Sequence, residues 1–287
     1  MLFLGTAAAE CYPNPFCECP SCRRARRSTD RRLKRRRSSF LFDDATLLDF
    51  NADVMYACNE FGVSLSRLKR VLLTHIHEDH FDYFNTAFLN MAVTPTQPLV
   101  FYASEAACEG VRGLLADIKR LPHRQLVSQF QEMEAVSTFV PLPAFQAAQL
   151  DDIRVTPVIA NHAGFFDGEL GYNYLIEKQG TVTFYATDTG RFFEHTMEFL
   201  SDYCVDTLVI EGSFGAARLP PESGHLDCFS LCETLDQMFA QGTLNQKSHI
   251  FVTHIGHKGI YNLTDYQDFL DARYQGQVQI AWDGLQI

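Results

Sequence analysis

Short runs rich in Val, Ile, Leu and Phe recur along the chain, at residues 39–42, 46–50, 70–74, 99–102, 153–159, 172–177, 181–186, 207–210, 250–253 and 278–282. Each has the length of a strand, and most are bounded by turn residues. Residues 1–5 form a further expected strand, running into the small-residue loop Thr6-Ala7-Ala8-Ala9. Phe42-Asp43-Asp44-Ala45 and Lys178-Gln179-Gly180 have the composition of hairpin turns between adjacent strands. Elsewhere the period changes. Residues 104–119, 194–203, 226–240 and 266–274 carry apolar side chains at helical spacing, with Thr264 or Asp265 as the expected N-cap of the last. Hairpins first and β–α alternation later predict a mixed sheet system with helices outside it. Residues 121–150 follow neither period and read as irregular or inserted; the Pro-rich stretch 95–98 carries no motif.

Composition narrows the function classes. The 287 residues are 46% hydrophobic and 21% charged, an ordinary globular balance, and the formal net charge of −11 argues against nucleic-acid binding through bulk charge. Residues 23–37 depart from this, with ten Arg or Lys side chains. We read them as a solvated, charged connector, with a nucleic-acid arm as the alternative. No apolar stretch is long enough to span a bilayer, and the first residues lack the basic segment of a signal peptide. A reducing, cytoplasmic compartment is therefore expected. There, Cys17, Cys19 and Cys22, crowded into six positions, suggest metal rather than disulfide. Cys11, Cys58, Cys108, Cys204, Cys228 and Cys232 are read as small core residues.

The strongest chemical signal is Thr74-His75-Ile76-His77-Glu78-Asp79-His80, directly after the apolar run that starts at Arg70. Three imidazoles and a carboxylate in six residues are poor core filler, because each would need a buried partner. Clustered past a strand end, they can converge on one point, and the donor set suits zinc, iron or manganese. His162, Asp188 and His254 each follow a later expected strand, and Asp49 follows the strand at 46–50.

The pattern His75-x-His77-x-Asp79-His80, followed in order by His162, Asp188 and His254, resembles the signature of the metallo-β-lactamase superfamily. The resemblance implies a mixed α/β, four-layer αββα sandwich and a metal-dependent hydrolase. It implies one metal held by His75, His77 and His162, a second by Asp79, His80 and His254, and Asp188 bridging both. Asp49 would stand behind the site and fix the tautomer of a ligand histidine.

Cys17-Glu18-Cys19-Pro20-Ser21-Cys22 makes a partial tetrahedral thiolate site that needs a fourth ligand, and His257 is the candidate. Together with the Leu-Gly-Thr start, Thr187-Asp188-Thr189, Thr253-His254-Ile255-Gly256-His257 and the Arg-rich segment, this knuckle is similar to the phosphoribosyl 1,2-cyclic phosphate phosphodiesterase family of the carbon–phosphorus lyase pathway. That narrower resemblance implies a structural zinc on Cys17, Cys19, Cys22 and His257. It also implies two divalent catalytic metals (Zn, Mn or Fe) that activate a hydroxide, with Asp79 and His225 as catalytic residues. The chain is thus expected to be one domain, 1–287, with a zinc knuckle at about 11–37 and an insert at about 91–150. Its expected partner is a small cyclic or nucleotide-like phosphodiester. Nucleic acid is the less favoured partner, a membrane is not expected, and the oligomeric state is open, a homodimer included. The rival readings are a lactone, thioester or β-lactam hydrolase of the same fold, a tRNA-processing type endonuclease, and a zinc-knuckle nucleic-acid-binding protein. His123, His195 and His249 match nothing and are read as surface or structural residues. Phe165 and Phe166 could line the pocket or pack.

Overall fold

The apolar runs become two sheets. The computed structural model describes residues 1–94, 96–258 and 263–287, so Pro95 of the Pro-rich stretch lies outside the described residues. In chain order the elements are β1 (Leu2–Gly5), α1 (Pro20–Arg27), β2 (Ser39–Asp43), β3 (Thr46–Leu48), α2 (Val54–Phe61), β4 (Arg70–Leu72), β5 (Leu99–Ala103), α3 (Glu105–Ile118), α4 (Arg124–Ala135), β6 (Ser137–Pro141), β7 (Ala148–Leu150), β8 (Ile153–Ala163), β9 (Leu170–Lys178), β10 (Thr181–Ala186), α5 (Glu194–Leu200), β11 (Thr207–Glu211), α6 (Cys228–Ala240), β12 (His249–Thr253), α7 (Leu263–Tyr274) and β13 (Val278–Ile280). Short 3-10 turns cover Arg31–Leu33 and Tyr83–Met91.

One sheet runs β1-β2-β3-β4-β5-β6 and the other β13-β12-β11-β10-β9-β8-β7. Each is antiparallel where hairpins join neighbours and parallel where helices intervene, as between β3, β4, β5 and β6 and between β10, β11, β12 and β13. At the β9–β10 hairpin, Gln179 and Gly180 both take positive φ (51° and 81°), the conformation a two-residue turn of the strand-matching hand requires.

Alternation along the strands builds the layers. On β10, β11 and β12, Phe184, Leu208 and Ile250 face α5, α6 and α7 in one core. Their neighbours Tyr185, Val209 and Phe251 face the other way, against Phe3, Phe40 and Leu72 of the first sheet. The outer face of that first sheet packs Leu47, Val71 and Phe101 against α2 and α3. Helix, sheet, sheet, helix is therefore the order of layers, the metallo-β-lactamase sandwich.

Three readings change. Residues 121–150 are ordered, forming α4, β6 and β7. The signal is weak because α4 is polar and β6 and β7 are short, partly exposed strands. The helix at 266–274 begins earlier, at Leu263, so Thr264 and Asp265 lie inside its first turn rather than capping it. Residues 23–37 are a solvated connector only in part: Arg23, Arg24, Arg27, Arg31, Arg32 and Lys34 are exposed, but the rest is docked. α1 takes the first part, and Arg35 is only 5% exposed, donating to Thr6 Oγ1 (3.1 Å) and to the Ala281 carbonyl. The Arg36 amide donates to Asp283 Oδ2 (2.7 Å) and its guanidinium reaches Glu60, while Arg37 pairs with Asp53. Acidic groups brought from elsewhere in the chain offset the basic run. Among the scattered thiols, Cys58, Cys108, Cys228 and Cys232 are buried in the cores, but Cys204 is exposed and Cys11 only partly covered.

Candidate metal centre

The ligands gather where the parallel strands end. Asp49 follows β3, His75–His80 follow β4, Asp188 follows β10 and His254 follows β12, while His162 lies near the end of β8. Asp49, Asp188 and His254 all adopt left-handed backbone (φ 60°, 48° and 56°). Such a conformation costs of order 1–3 kcal/mol per non-glycine residue and persists only where the surroundings enforce it. Here it turns the side chain back over the sheet end as the ladder stops, and β3 accordingly ends at Leu48, two residues short of the apolar run that predicted it.

Two clusters result. In the first, His75 Nε2 lies 2.9 Å from His77 Nδ1, which lies 3.4 Å from His162 Nε2. In the second, His80 Nε2 lies 3.2 Å from Asp79 Oδ2 and 2.8 Å from Asp188 Oδ2, and His254 Nε2 lies 3.0 Å from Asp188 Oδ1. Asp188 Oδ2 is also 3.3 Å from His75 Nε2, so this one carboxylate touches both clusters. Donors on a tetrahedral zinc are about 3.4 Å apart, the spacing found here.

Hydrogen bonds behind the clusters leave the converging nitrogens unprotonated. Thr74 Oγ1 donates to Asp49 Oδ1 (2.9 Å) and so accepts from His75 Nδ1 (3.0 Å). His80 Nδ1 donates to Asp49 Oδ2 (2.8 Å), and His162 Nδ1 donates to the Gly224 carbonyl (3.0 Å). Ser213 Oγ donates to Glu211 and accepts from His254 Nδ1 (2.8 Å). Each of these rings then aims a lone pair from Nε2 at its neighbours, and His80 Nε2, His254 Nε2 and Asp188 Oδ1 are buried with no hydrogen-bond partner. Acceptors facing acceptors in a buried place require a cation. The residues fit two divalent ions.

The clusters differ electrically. Burial, then the neighbouring imidazoles, push His75 well below its ordinary pKa, and burial also lowers His77. Burial would keep His80 and His254 neutral too, but Asp79 and Asp188 outweigh it, raising His80 well above its ordinary value and His254 to about 10. The two carboxylates thus draw positive charge to the second cluster.

Glu211 was not legible as a site residue. It ends β11, is fully buried, and its carboxylate accepts from the Thr189 and Leu226 amides at 2.7 and 3.2 Å. It also accepts from His225 Nδ1 at 3.0 Å, while Asp188 Oδ1 lies 3.7 Å from the same nitrogen. Burial disfavours a charged His225, yet Glu211 raises it above its ordinary value. The available signal was an acid directly after an apolar strand, the same that marks Asp49. Glu169 carried no signal: its buried carboxylate accepts from the amides of Ile76 (3.0 Å) and Phe166 (3.0 Å), bracing the loop of His75 and His77.

Away from this centre, Cys17, Cys19, Cys22 and His257 bring their donor atoms within 4.8 Å of one another. Cys19 Sγ lies 3.7 Å from His257 Nδ1, close to the about 3.6 Å expected between sulfur and nitrogen on one zinc. Cys19 also caps α1, its sulfur accepting from the Cys22 amide at 3.4 Å, with Pro20 in the first helical position. Of the unmatched histidines, His195 stacks on Phe193, while His123 precedes α4 and His249 begins β12 at the surface. Phe165 is exposed and Phe166 packs over Gly110 of α3, and neither lines the cavity at the clusters.

Comparison with known proteins follows the same lines. No curated protein matches the sequence significantly. Among solved structures, a diphosphatase from the PhnP family is 20% identical, covering 100% of this chain and 96% of its own, with a TM-score of 0.67. Zinc-bound PqqB from Methylobacterium extorquens is 18% identical over 99% of this chain and 98% of its own, with a TM-score of 0.73. The short form of human tRNase Z is 14% identical over 99% and 96%, with a TM-score of 0.64. At these identities the likeness is one of fold. The family described as beta-lactamase superfamily domain matches residues 49–255, which include every proposed catalytic metal ligand, and the chain therefore belongs to that superfamily of metal-dependent hydrolases.

Proposed function

We propose that this chain hydrolyses a small cyclic or nucleotide-like phosphodiester, using two divalent cations at the His/Asp clusters and a structural zinc at the cysteine knuckle. One observation carries the reading: His225, its Nδ1 3.0 Å from the buried Glu211 carboxylate and 3.7 Å from Asp188, stands beside the ligand clusters. A fixed donor, whose proton affinity Glu211 raises, suits an anionic ester with an oxyanion leaving group.

When bound, two divalent cations would bring a shared water toward ionisation at neutral pH and offset charge on the phosphate oxygens. The chain's own residues position and move protons. Asp49, Thr74, Ser213 and the Gly224 carbonyl fix the tautomers of the ligand histidines, so no ring need turn during the reaction. Asp79 orients the second cluster from a buried position. His225, with Nδ1 engaged by Glu211, has its other nitrogen available to donate to the leaving oxygen. Glu211 stabilises the charged ring before that transfer. Asp188, whose Oδ2 reaches both His75 and His80 while Oδ1 reaches His254, keeps the clusters in register.

The test is cleavage of 5-phosphoribosyl 1,2-cyclic phosphate beside bis(p-nitrophenyl) phosphate, with Mn²⁺ or Zn²⁺ and with Asp188→Ala as background. Cleavage of the ribosyl ester by the wild type alone is expected. Failure to cleave either diester, with metals shown to be bound, would overturn the reading in favour of lactone or thioester hydrolysis.

A further inference from the structure

The knuckle sulfurs are arranged for chemistry as well as for ligation. Cys19-Pro20-Ser21-Cys22 sets two thiols at the start of α1, with Cys19 as the N-cap and Cys22 in the first turn. Cys19 is partly exposed and Cys22 is buried. Cys19 Sγ is the hub of the group: it lies 3.7 Å from His257 Nδ1 and within hydrogen-bonding reach of the Cys17 and Cys22 sulfurs. A sulfur that solvent can reach, with a second thiol against it, is the arrangement of a dithiol that closes on oxidation.

Spacing selects the partner. A bond from Cys19 to Cys17 would close a ring through a single intervening residue, which strains it. Cys22 stands three positions on, about one helical turn, inside the roughly 4.4–6.8 Å between Cα atoms that a disulfide spans. The backbone is already bent to suit: the Cys22 amide donates to Cys19 Sγ (3.4 Å), and Pro20 fixes the first helical φ.

We propose that Cys19 and Cys22 are a hydroperoxide-sensitive modification site, a reversible disulfide whose closure expels the knuckle zinc. The inference rests on the knuckle zinc of the proposal above and is independent of the substrate. The Cys19 thiolate attacks the peroxide, the O–O bond breaks, and with one proton from solvent the products are a Cys19 sulfenic acid and an alcohol or water. Cys22 sulfur then attacks Cys19 sulfur. The S–S bond forms, the S–O bond breaks, and the hydroxyl leaves as water with the Cys22 proton. The two sulfurs lose two electrons, which reduce the peroxide. Zinc is held by thiolates, so two of its four donors go at once, and Cys17 with His257 cannot close the site. The change reaches the catalytic cavity from one side only. His257 Nε2 lies 3.4 Å from Glu10 Oε1, and Ala8, Ala9 and Glu10 line that cavity, so zinc loss unties this wall from the knuckle. No cysteine lines the cavity among the described residues, and the His/Asp clusters keep their donors.

Stepwise addition of hydrogen peroxide to the metal-loaded protein tests this. Released zinc is followed with 4-(2-pyridylazo)resorcinol and retained metal by atomic emission, while differential alkylation and peptide fragmentation locate the oxidised sulfurs. About one zinc per chain should leave as the Cys19–Cys22 disulfide forms, with the catalytic cations retained. Dithiothreitol with added zinc should restore both thiols and ion. Cys22→Ser should instead stall at a Cys19 sulfenic acid that dimedone traps. Sulfur mapping on the wild type decides the matter even if that variant does not fold. A Cys17–Cys19 bond, oxidation of the exposed Cys204 before the pair, or zinc release without any disulfide overturns the proposal. Absence of knuckle zinc before peroxide is added would defeat the zinc reading and the release with it, while the mapping still decides whether Cys19 pairs with Cys22.

Discussion

The His/Asp clusters and the cysteine knuckle meet on one loop, where His254 serves the former and His257 the latter, yet they are built on opposite plans. The His/Asp ligands hang from the ends of four strands in two sheets, are mostly buried, and include two residues in strained left-handed backbone, with Asp49 behind them a third. The knuckle draws three of its four donors from six consecutive residues around the start of a short helix, and Cys17 and Cys19 are partly exposed. A centre that must keep open positions for a substrate needs ligands held from behind by a rigid frame. A closed tetrahedral centre can be assembled locally, because the metal itself completes the structure. The frame therefore supports the His/Asp clusters, whereas the knuckle metal would support the segment around it.

Substitutions can break this contrast. The largest effect is expected at Asp188, the one carboxylate common to both clusters. Asp188→Ala should lower hydrolysis by about a thousandfold or more, with the far-ultraviolet spectrum and melting temperature little changed. A variant that kept full turnover would remove Asp188 from the centre. Next comes Glu211→Gln, which leaves every proposed ligand in place but withdraws the charge that raises the proton affinity of His225. Turnover should drop by about a hundredfold, mainly in kcat, while metal content measured by atomic emission stays the same. Equal loss of metal and activity would mean that Glu211 acts only through Ser213 and His254.

Cys19→Ala should show the reverse pattern. One zinc per chain and several degrees of melting temperature should be lost, with activity following stability rather than leading it. Unchanged zinc stoichiometry would defeat the knuckle assignment. The smallest effect concerns the anchor of the knuckle segment. Burial raises the Asp283 carboxyl to about 6 from an ordinary 3.8, against the pull of Thr6, Arg36 and Arg35. Between those values the folded chain keeps a proton that the unfolded chain releases. This contribution to stability is complete below pH 3.8 and is lost as pH rises through 6. The melting temperature of the wild type relative to Asp283→Asn should therefore be higher at pH 4 than at pH 7. An identical difference at both would show that Arg36 keeps the carboxyl ionised throughout.

The pattern of apolar runs located the central strands well, because strands such as β10, β11 and β12, covered on both faces, read as continuous Val, Ile, Leu and Phe. It failed at β6 and β7, where partial exposure removes the need for apolar side chains, and at α2, an eight-residue helix closed by Gly62 in a left-handed conformation (φ 66°). Among site residues, His75, His77, Asp79 and His80 stood out because imidazoles at that density have no ordinary place beside a core strand. Glu211 did not, since one acid after one strand is common, and only its placement beside His225 gives it meaning.

Residue chemistry and local periodicity are properties of neighbouring positions, so the chain by itself determined the ligand types, the knuckle spacing and most strands. Which distant groups meet is decided by sheet register and by the packing of two sheets. Register between β3 and β4 sets Asp49 behind His80 across 31 positions, while the closing of the whole sandwich sets His257 against Cys19 across 238 and Asp283 against the Arg36 amide across 247. Such pairings depend on the whole sandwich closing, because a buried charge is stable only where another part of the chain supplies its partner.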